Sequence, residues 1–307
     1  FMWGGSDEKK AVEAIERGYD LGMTSIDTAP IYGMGLSEEL VGKAIKGKRD
    51  QFQILTKFSM HWNISGSQDT YRSDEKTSEL FQNVYLKADK QSVIRECEDS
   101  LRRLGTDYID YYQQHWPVED TPIEETMEAL DRLKDQGKIR AGGVCNYSLD
   151  QFKEAEKAFR VEADQLPYSM VRRDIEKDLI PYAIENEKSI LAYSPLQRGL
   201  LTGKFNPDSV LGEGDNRKDS RYFTVHNIQR VNHFLSKIRP IAEEHQVSLV
   251  QLVLNWTISQ PGITVALAGA RTPEQVEENA KAAEFELTEN QMDTINKHLE
   301  ELELNLE

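Results

Sequence analysis

The sequence predicts an α/β chain folded as a parallel (β/α)8 TIM barrel, on three observations. Seven short β-rich runs alternate with amphipathic helical stretches, and such alternation builds βαβ units around a parallel sheet. The helical stretches carry recognisable start and stop signals. The length of 307 residues suits one α/β barrel, which reaches this size or beyond as a single unit. Residues 1–307 are therefore read as one barrel domain.

The runs are Thr24–Asp27, Gln53–Lys57, Tyr108–Gln114, Ile139–Val144, Ala163–Leu166, Ser189–Tyr193 and Thr264–Ala268. Between them, Ser37-Glu38-Glu39 reads as a helix start. Thr121-Pro122-Ile123-Glu124 reads as a capping box with Pro122 at the first helical position and Gly137 closing the helix, and Thr272-Pro273-Glu274-Gln275 repeats the pattern. Cys97 shares an apolar helical stripe with Val93, Ile94, Leu101 and Leu104 and is read as a core residue. The stretch from Thr288 to Glu307 is a helix whose Met292, Ile295, Leu299 and Leu302 face packs on the barrel; a partner helix is the alternative cover. A closed barrel needs eight strands. Either the first lies before Phe1, which we favour, or Phe1–Gly5 supply a remnant of it. Two connections are long, 58–90 and 197–227. Connections of that length are functional lids or disordered.

A net charge of −16 excludes a nucleic-acid-binding surface and disfavours an anionic membrane. No apolar run approaches the ~18 residues of a membrane span. The two cysteines, Cys97 and Cys145, stand outside any metal-ligand spacing, so no metal is expected and the chain reads as reduced and cytoplasmic. The expected partner is a small molecule; a homo-oligomer is left open.

In a (β/α)8 barrel, functional groups gather at the C-terminal ends of the strands. That rule selects Asp27, Lys57, His115, Asn146, Gln165 and Tyr193, with Tyr32 five residues past Asp27. Singly, each has an ordinary structural use: Asp27 as a turn residue, Lys57 as a solvated strand end, His115 as a satisfied rim histidine, Tyr32 as packing, Asn146 as a cap, Gln165 as a buried polar group, Tyr193 as a core aromatic. Together they put a carboxylate, an amine, a phenol and an imidazole on one rim. Carbonyl reduction needs such a set: a proton donor for the developing alkoxide and a cation that makes the donor more acidic.

At these residues the sequence resembles the aldo-keto reductase family. Asp27-Thr28-Ala29-Pro30-Ile31-Tyr32-Gly33, Lys57 after Ile54-Leu55-Thr56, Gln113-Gln114-His115-Trp116, Gly142-Gly143-Val144-Cys145-Asn146, Leu191-Ala192-Tyr193-Ser194-Pro195-Leu196 and Arg198-Gly199-Leu200-Leu201-Thr202-Gly203-Lys204 follow its motifs in order, over about Trp3 to Leu299. The likeness is nearest to the bacterial general-stress and potassium-channel β-subunit branches. It implies an NADPH-dependent reductase of aldehydes or ketones. Tyr32 is then the general acid, Lys57 lowers its pKa, Asp27 holds Lys57, and His115 orients the carbonyl. The resemblance also implies cofactor contacts. Asn146 and Gln165 meet the nicotinamide carboxamide, and Tyr193 stacks on its ring. Ser194, Leu196, Arg198 and Gly199 lie along the pyrophosphate in the loop that runs to Lys204. Gly269-Ala270-Arg271, Gln275, Glu278 and Asn279 hold the adenosine end.

The chain departs from the family pattern in three places. Cys145 stands where a Ser is usual, and a thiol is a poor donor. The adenosine phosphate region offers only Arg271, and Gln275 doubles as a capping residue. The first strand, with its contacts, is not visible. Trp3, Phe58, Trp62 and Trp116 are candidates for an apolar substrate pocket. Two other readings remain. One is a cofactor-binding regulatory subunit on the same scaffold. The other is a sugar-phosphate barrel enzyme; it calls for a Gly-rich phosphate loop where this sequence has Tyr193 followed by Arg198.

Overall fold

The computed structural model describes residues 7–62, 84–212 and 215–306. Seven parallel strands form one sheet in chain order: β1 (Ser25–Asp27), β2 (Gln53–Phe58), β5 (Ile109–Gln114), β6 (Ile139–Cys145), β7 (Ala163–Pro167), β8 (Ser189–Tyr193) and β9 (Ile263–Leu267). Every expected run is a strand, each boundary within one residue. Before, between and after them along the chain lie the helices α1 (Glu8–Asp20), α2 (Leu36–Ala44), α3 (Lys90–Leu104), α4 (Ile123–Asp135), α5 (Leu149–Ala155), α6 (Leu179–Glu185), α7 (Val225–Glu244), α8 (Leu249–Ile258), α9 (Pro273–Ala280) and α10 (Glu289–Glu300). β1 and β9 are the two ends of the sheet among the described residues. The helical layer closes over that gap: Gly18 of α1 lies against Val276 of α9, and the Arg17 Nε donates to Glu277 Oε1 at 2.7 Å. Phe1–Gly5, where a strand remnant was expected, lie outside the described residues, as does Trp3.

Alternation along each strand sorts the residues into two layers. Ile54, Phe58, Tyr112 and Val144 point outward into a core shared with α3 and α4, which also holds Cys97 as expected. Tyr111, Ala163 and Leu191 point inward and fill the floor of the barrel with Leu55, Ala141, Val265 and Leu267. Phe58, expected in the substrate pocket, belongs to the outer core. It follows inward-pointing Lys57, so the pleat turns it away from the mouth, where it packs on Tyr112 at 4.8 Å between ring centroids.

Tyr111 crosses the floor. Its hydroxyl donates to the Ala163 carbonyl at 2.8 Å, passing over Gly143 of the intervening strand, where a Cβ would stand 1.5 Å from that hydroxyl oxygen.

Two expected helix starts differ. α2 begins at Leu36 behind Gly35, whose φ of 99° turns the chain, so Ser37 lies inside the helix and bonds Thr28 instead. α4 begins at Ile123, with Pro122 at the N-cap and no side-chain cap bond. The Thr272 cap is made, with Pro273 at the first helical position. The α10 face of Ile295 and Leu299 packs on the barrel as expected. The 58–90 connection contains a short antiparallel pair, β3 (Met60–His61) with β4 (Tyr85–Leu86). No helix among the described residues is long and apolar enough to cross a membrane.

Candidate active site

The inward-facing layer above the floor is polar. Asp27 ends β1, Lys57 is the second-last residue of β2, and Gln113 lies beside Lys57 in register on β5. The Lys57 Nζ donates to Asp27 Oδ2 at 2.6 Å and to the Thr28 carbonyl at 2.9 Å, and Lys57 is 0% exposed. Oδ1 of Asp27 accepts from Gln165 Nε2 at 2.8 Å and from Gln113 Nε2 at 3.2 Å. A buried charge is tolerated only when paired and hydrogen-bonded, and this pair is held on both carboxylate oxygens. Burial by itself pushes the Lys57 ammonium down, but Asp27 and Tyr32 outweigh it, and its pKa rises. Lys57 is therefore a permanent cation.

Tyr32 is brought over that cation by a tight turn. Gly33, Met34 and Gly35 are all left-handed, and the Gly35 N–H donates to the Pro30 carbonyl at 2.7 Å. The Lys57 Nζ stands 5.1 Å from the centre of the Tyr32 ring. The His115 ring meets Tyr32 edge-on at 5.8 Å. Burial raises the Tyr32 pKa, Lys57 lowers it and Asp27 raises it again; the net shift is upward. The lysine thus acts in the direction the sequence led us to expect but does not set the sign. Burial and the Lys57 charge push the His115 imidazole well below its usual range, so it is neutral and can donate one hydrogen bond.

Asn146, Gln165 and Tyr193 converge beside this group. The Tyr193 hydroxyl donates to Asn146 Oδ1 at 2.8 Å, and Asn146 Nδ2 donates to the His115 carbonyl at 3.0 Å. Three strands leave the barrel here through left-handed non-glycine residues: Ser59 after β2, Asn146 after β6 and Ser194 after β8, with φ of 84°, 62° and 55°. Such conformations persist only where the surroundings enforce them, and they cluster at functional sites. After Ser194 the chain stays contorted through Gln197, Arg198 and Gly199, all with positive φ. Cys145 is buried in the same layer, and burial raises its thiol well above the usual range, so it stays protonated.

Trp62 and Trp116 pack with Tyr32 against Ala29, Ile31, Met60 and Val84, an apolar wall at the acid. On the same rim, just past the C-terminal end of β9, Gly269 and Arg271 are exposed ahead of α9. Leu196 packs between Val250, Leu254 and Ala282, and Lys204 is exposed. Gln275 Oε1 accepts from the Arg271 N–H at 2.8 Å at the start of α9, and Glu278 Oε1 accepts from Ser248, the N-cap of α8, at 3.0 Å, so both have structural work. Asn279 lies partly buried one residue on.

Sequence reasoning missed Gln113, the second-last residue of its strand, and Glu38, fully buried between Thr56 and the Arg103 guanidinium. It also missed Asp164. That side chain faces outward from β7, is 0% exposed, and neither oxygen has a hydrogen-bond partner. The Asn146 and Tyr147 N–H groups face it without forming bonds of ordinary geometry; burial raises its pKa well above the carboxylate range.

The donor set fits a nicotinamide dinucleotide. Amides meet a carboxamide, a phenol ring offers a flat face, and a guanidinium next to a helix N-terminus suits a phosphate.

A parallel barrel, seven of whose strands lie among the described residues, with a carboxylate-held lysine under a tyrosine at its mouth defines an oxidoreductase of the (β/α)8 class, and the chain belongs to the aldo/keto reductase family, whose model matches residues 1–300. It is 39% identical over 302 residues to the aldo-keto reductase YhdN of Bacillus subtilis, covering 97% of this chain and 86% of that one. It is 35% identical over 292 residues to the NADH-specific methylglyoxal reductase of Escherichia coli, covering 94% and 87%. Among solved structures, the glycerol dehydrogenase AKR11B4 from Gluconobacter oxydans superposes with a TM-score of 0.87 at 34% identity, covering 99% of this chain and 89% of that one. An aldo/keto reductase from Klebsiella pneumoniae in complex with NADP and acetate superposes at 0.71 and 28% identity, covering 96% and 88%.

Proposed function

We propose that this enzyme reduces small aldehydes or ketones to alcohols with NADPH, and that Tyr32 supplies the proton. The observation that carries this reading is the Lys57 ammonium, clamped by Asp27 at 2.6 Å and held 5.1 Å from the Tyr32 ring. The reduced nicotinamide, when bound, supplies a hydride. The remaining tasks fall to this chain. Neutral His115 donates a hydrogen bond that orients the carbonyl oxygen toward Tyr32. The Tyr32 hydroxyl gives its proton to that oxygen, and Lys57 stabilises the phenolate left behind. Asp27 keeps Lys57 charged and in place. Trp62 and Trp116 exclude water from the acid and accept an apolar substituent. Asn146, Gln165 and Tyr193 fix the nicotinamide end. Ser194, Leu196, Arg198, Gly199 and Lys204 follow the pyrophosphate, and Gly269, Arg271, Gln275, Glu278 and Asn279 the adenosine. Within the family, the motifs support a place in the general-stress and potassium-channel β-subunit branch.

Arg271 before the α9 N-terminus supports a preference for the extra phosphate of NADPH. One relative is named as NADH-specific, so both cofactors belong in the test. The unmutated protein is offered methylglyoxal and a panel of short aldehydes and ketones, and loss of reduced-cofactor absorbance is followed. Turnover with NADPH exceeding that with NADH is expected, and Arg271→Ala should narrow the gap. Equal affinity for the two cofactors overturns the preference. Tight NADPH binding without turnover of any carbonyl overturns the catalytic reading and favours a regulatory subunit.

A further inference from the structure

Two amides converge on a single oxygen of Asp27. Gln165 reaches it at 2.8 Å from β7. Gln113 reaches it at 3.2 Å from β5, where it stands in register with Lys57 on one side and Gly143 on the other. Gln113 is 0% exposed, and its Oε1 has no partner. An orphaned amide oxygen in a barrel interior destabilises the fold. A Met of similar length would avoid that loss, so packing does not explain a glutamine here.

We infer that Gln113 is a positioning residue for the reduction proposed above: its N–H holds Asp27 Oδ1, so that Oδ2 stays on Lys57 and the ammonium stays under Tyr32. The inference rests on the reading of Tyr32 as the acid. The register supplies the geometry. Lys57 and Gln113 are neighbours on adjacent parallel strands and both point inward, so an ammonium and an amide grip the two oxygens of one carboxylate, one each. Gln165 is also expected to serve the nicotinamide carboxamide. Gln113 is sealed below the mouth and keeps its bond when Gln165 is shared.

The test is Gln113→Met. Turnover of a small aldehyde should fall about tenfold, the worth of a hydrogen bond to a charged group, with little change in KM. The alkaline limb of the pH–rate profile should move to higher pH, because a less compensated Asp27 holds the Tyr32 proton more tightly. The melting temperature should hold or rise, since the orphaned oxygen is gone and Gln165 still satisfies Asp27. Gln113→Glu should restore turnover only on the acid side, where the new carboxyl carries a proton to donate. Unchanged turnover with an unmoved profile overturns the inference, and so does a turnover loss matched by a fall in melting temperature. A readout free of activity is the urea-unfolding cycle of Gln113→Met with Asp27→Asn: coupled effects are expected, and additive ones overturn the contact. If the unmutated protein reduces no carbonyl, the functional reading fails while this cycle still decides the Gln113–Asp27 link.

Discussion

At Tyr32 a hydroxyl proton must be released on demand in a site that resists charge. An ordinary tyrosine has a pKa of ~10, and burial raises this one. Only the Lys57 ammonium and its hydrogen bond work the other way, so the phenolate can exist only next to that cation. Tyr32→Phe keeps the ring over Lys57 and removes the proton. Turnover should drop ~100-fold or more, the usual worth of a general acid, while NADPH affinity measured by fluorescence titration stays nearly constant. A variant with most of its activity intact would assign the proton to another group. Asp164 is the opposite case, a carboxyl with no task at the mouth. Its folded pKa lies above the unfolded value, so the folded chain binds that proton more tightly. The stability this contributes is whole below the unfolded pKa near 3.8 and is lost as pH rises through the folded value. Asp164→Asn should therefore stabilise the protein by about 1–2 kcal/mol near neutrality. The gain should fade as pH falls toward 3.8, which melting curves across that range would show.

At the scale of elements, the barrel depends on close approaches that only glycine permits. Gly143 lets Tyr111 bridge β5 to β7. Gly143→Ala places a methyl against the Tyr111 hydroxyl and 2.7 Å from the Ala163 carbonyl. A loss of about 3 kcal/mol is expected by urea unfolding, at the upper end for overpacking. Adding Tyr111→Phe should recover only part of it, because the ring carbon, 2.5 Å from that Cβ, and the carbonyl both remain. The strands were legible because seven short β-rich runs alternate with amphipathic helical stretches. The α2 start was not, because a left-handed Gly35 rather than a capping side chain turns the chain there. The β3–β4 pair has two residues on each side, too few for any period to register. Phe58 was misplaced because β2 runs one residue past Lys57, and the pleat reverses at that residue. Gln113 lies in a Tyr-Tyr-Gln-Gln run whose composition does not reveal which amide faces inward; register with Lys57 does.

At the scale of the whole molecule, the net charge of −16 sits on a scaffold whose functional groups gather at one end and whose floor is plugged by side chains. Three of the strands that open that end leave through Ser59, Asn146 and Ser194 in left-handed backbone. This sets limits on redesign. β-branched residues are poorly tolerated at φ above zero, whereas Gly, Asn and Asp adopt it most readily. A randomised library aimed at new substrates would therefore lose most of its Val, Ile and Thr members at these three positions to misfolding rather than to poor chemistry. Diversity is better spent on Trp62 and Trp116, which are not among the left-handed residues and whose side chains pack with Tyr32. The ancestry of the pocket should show the same division, with aromatic positions drifting freely while the three exits stay within a four-letter alphabet of Gly, Asn, Asp and Ser.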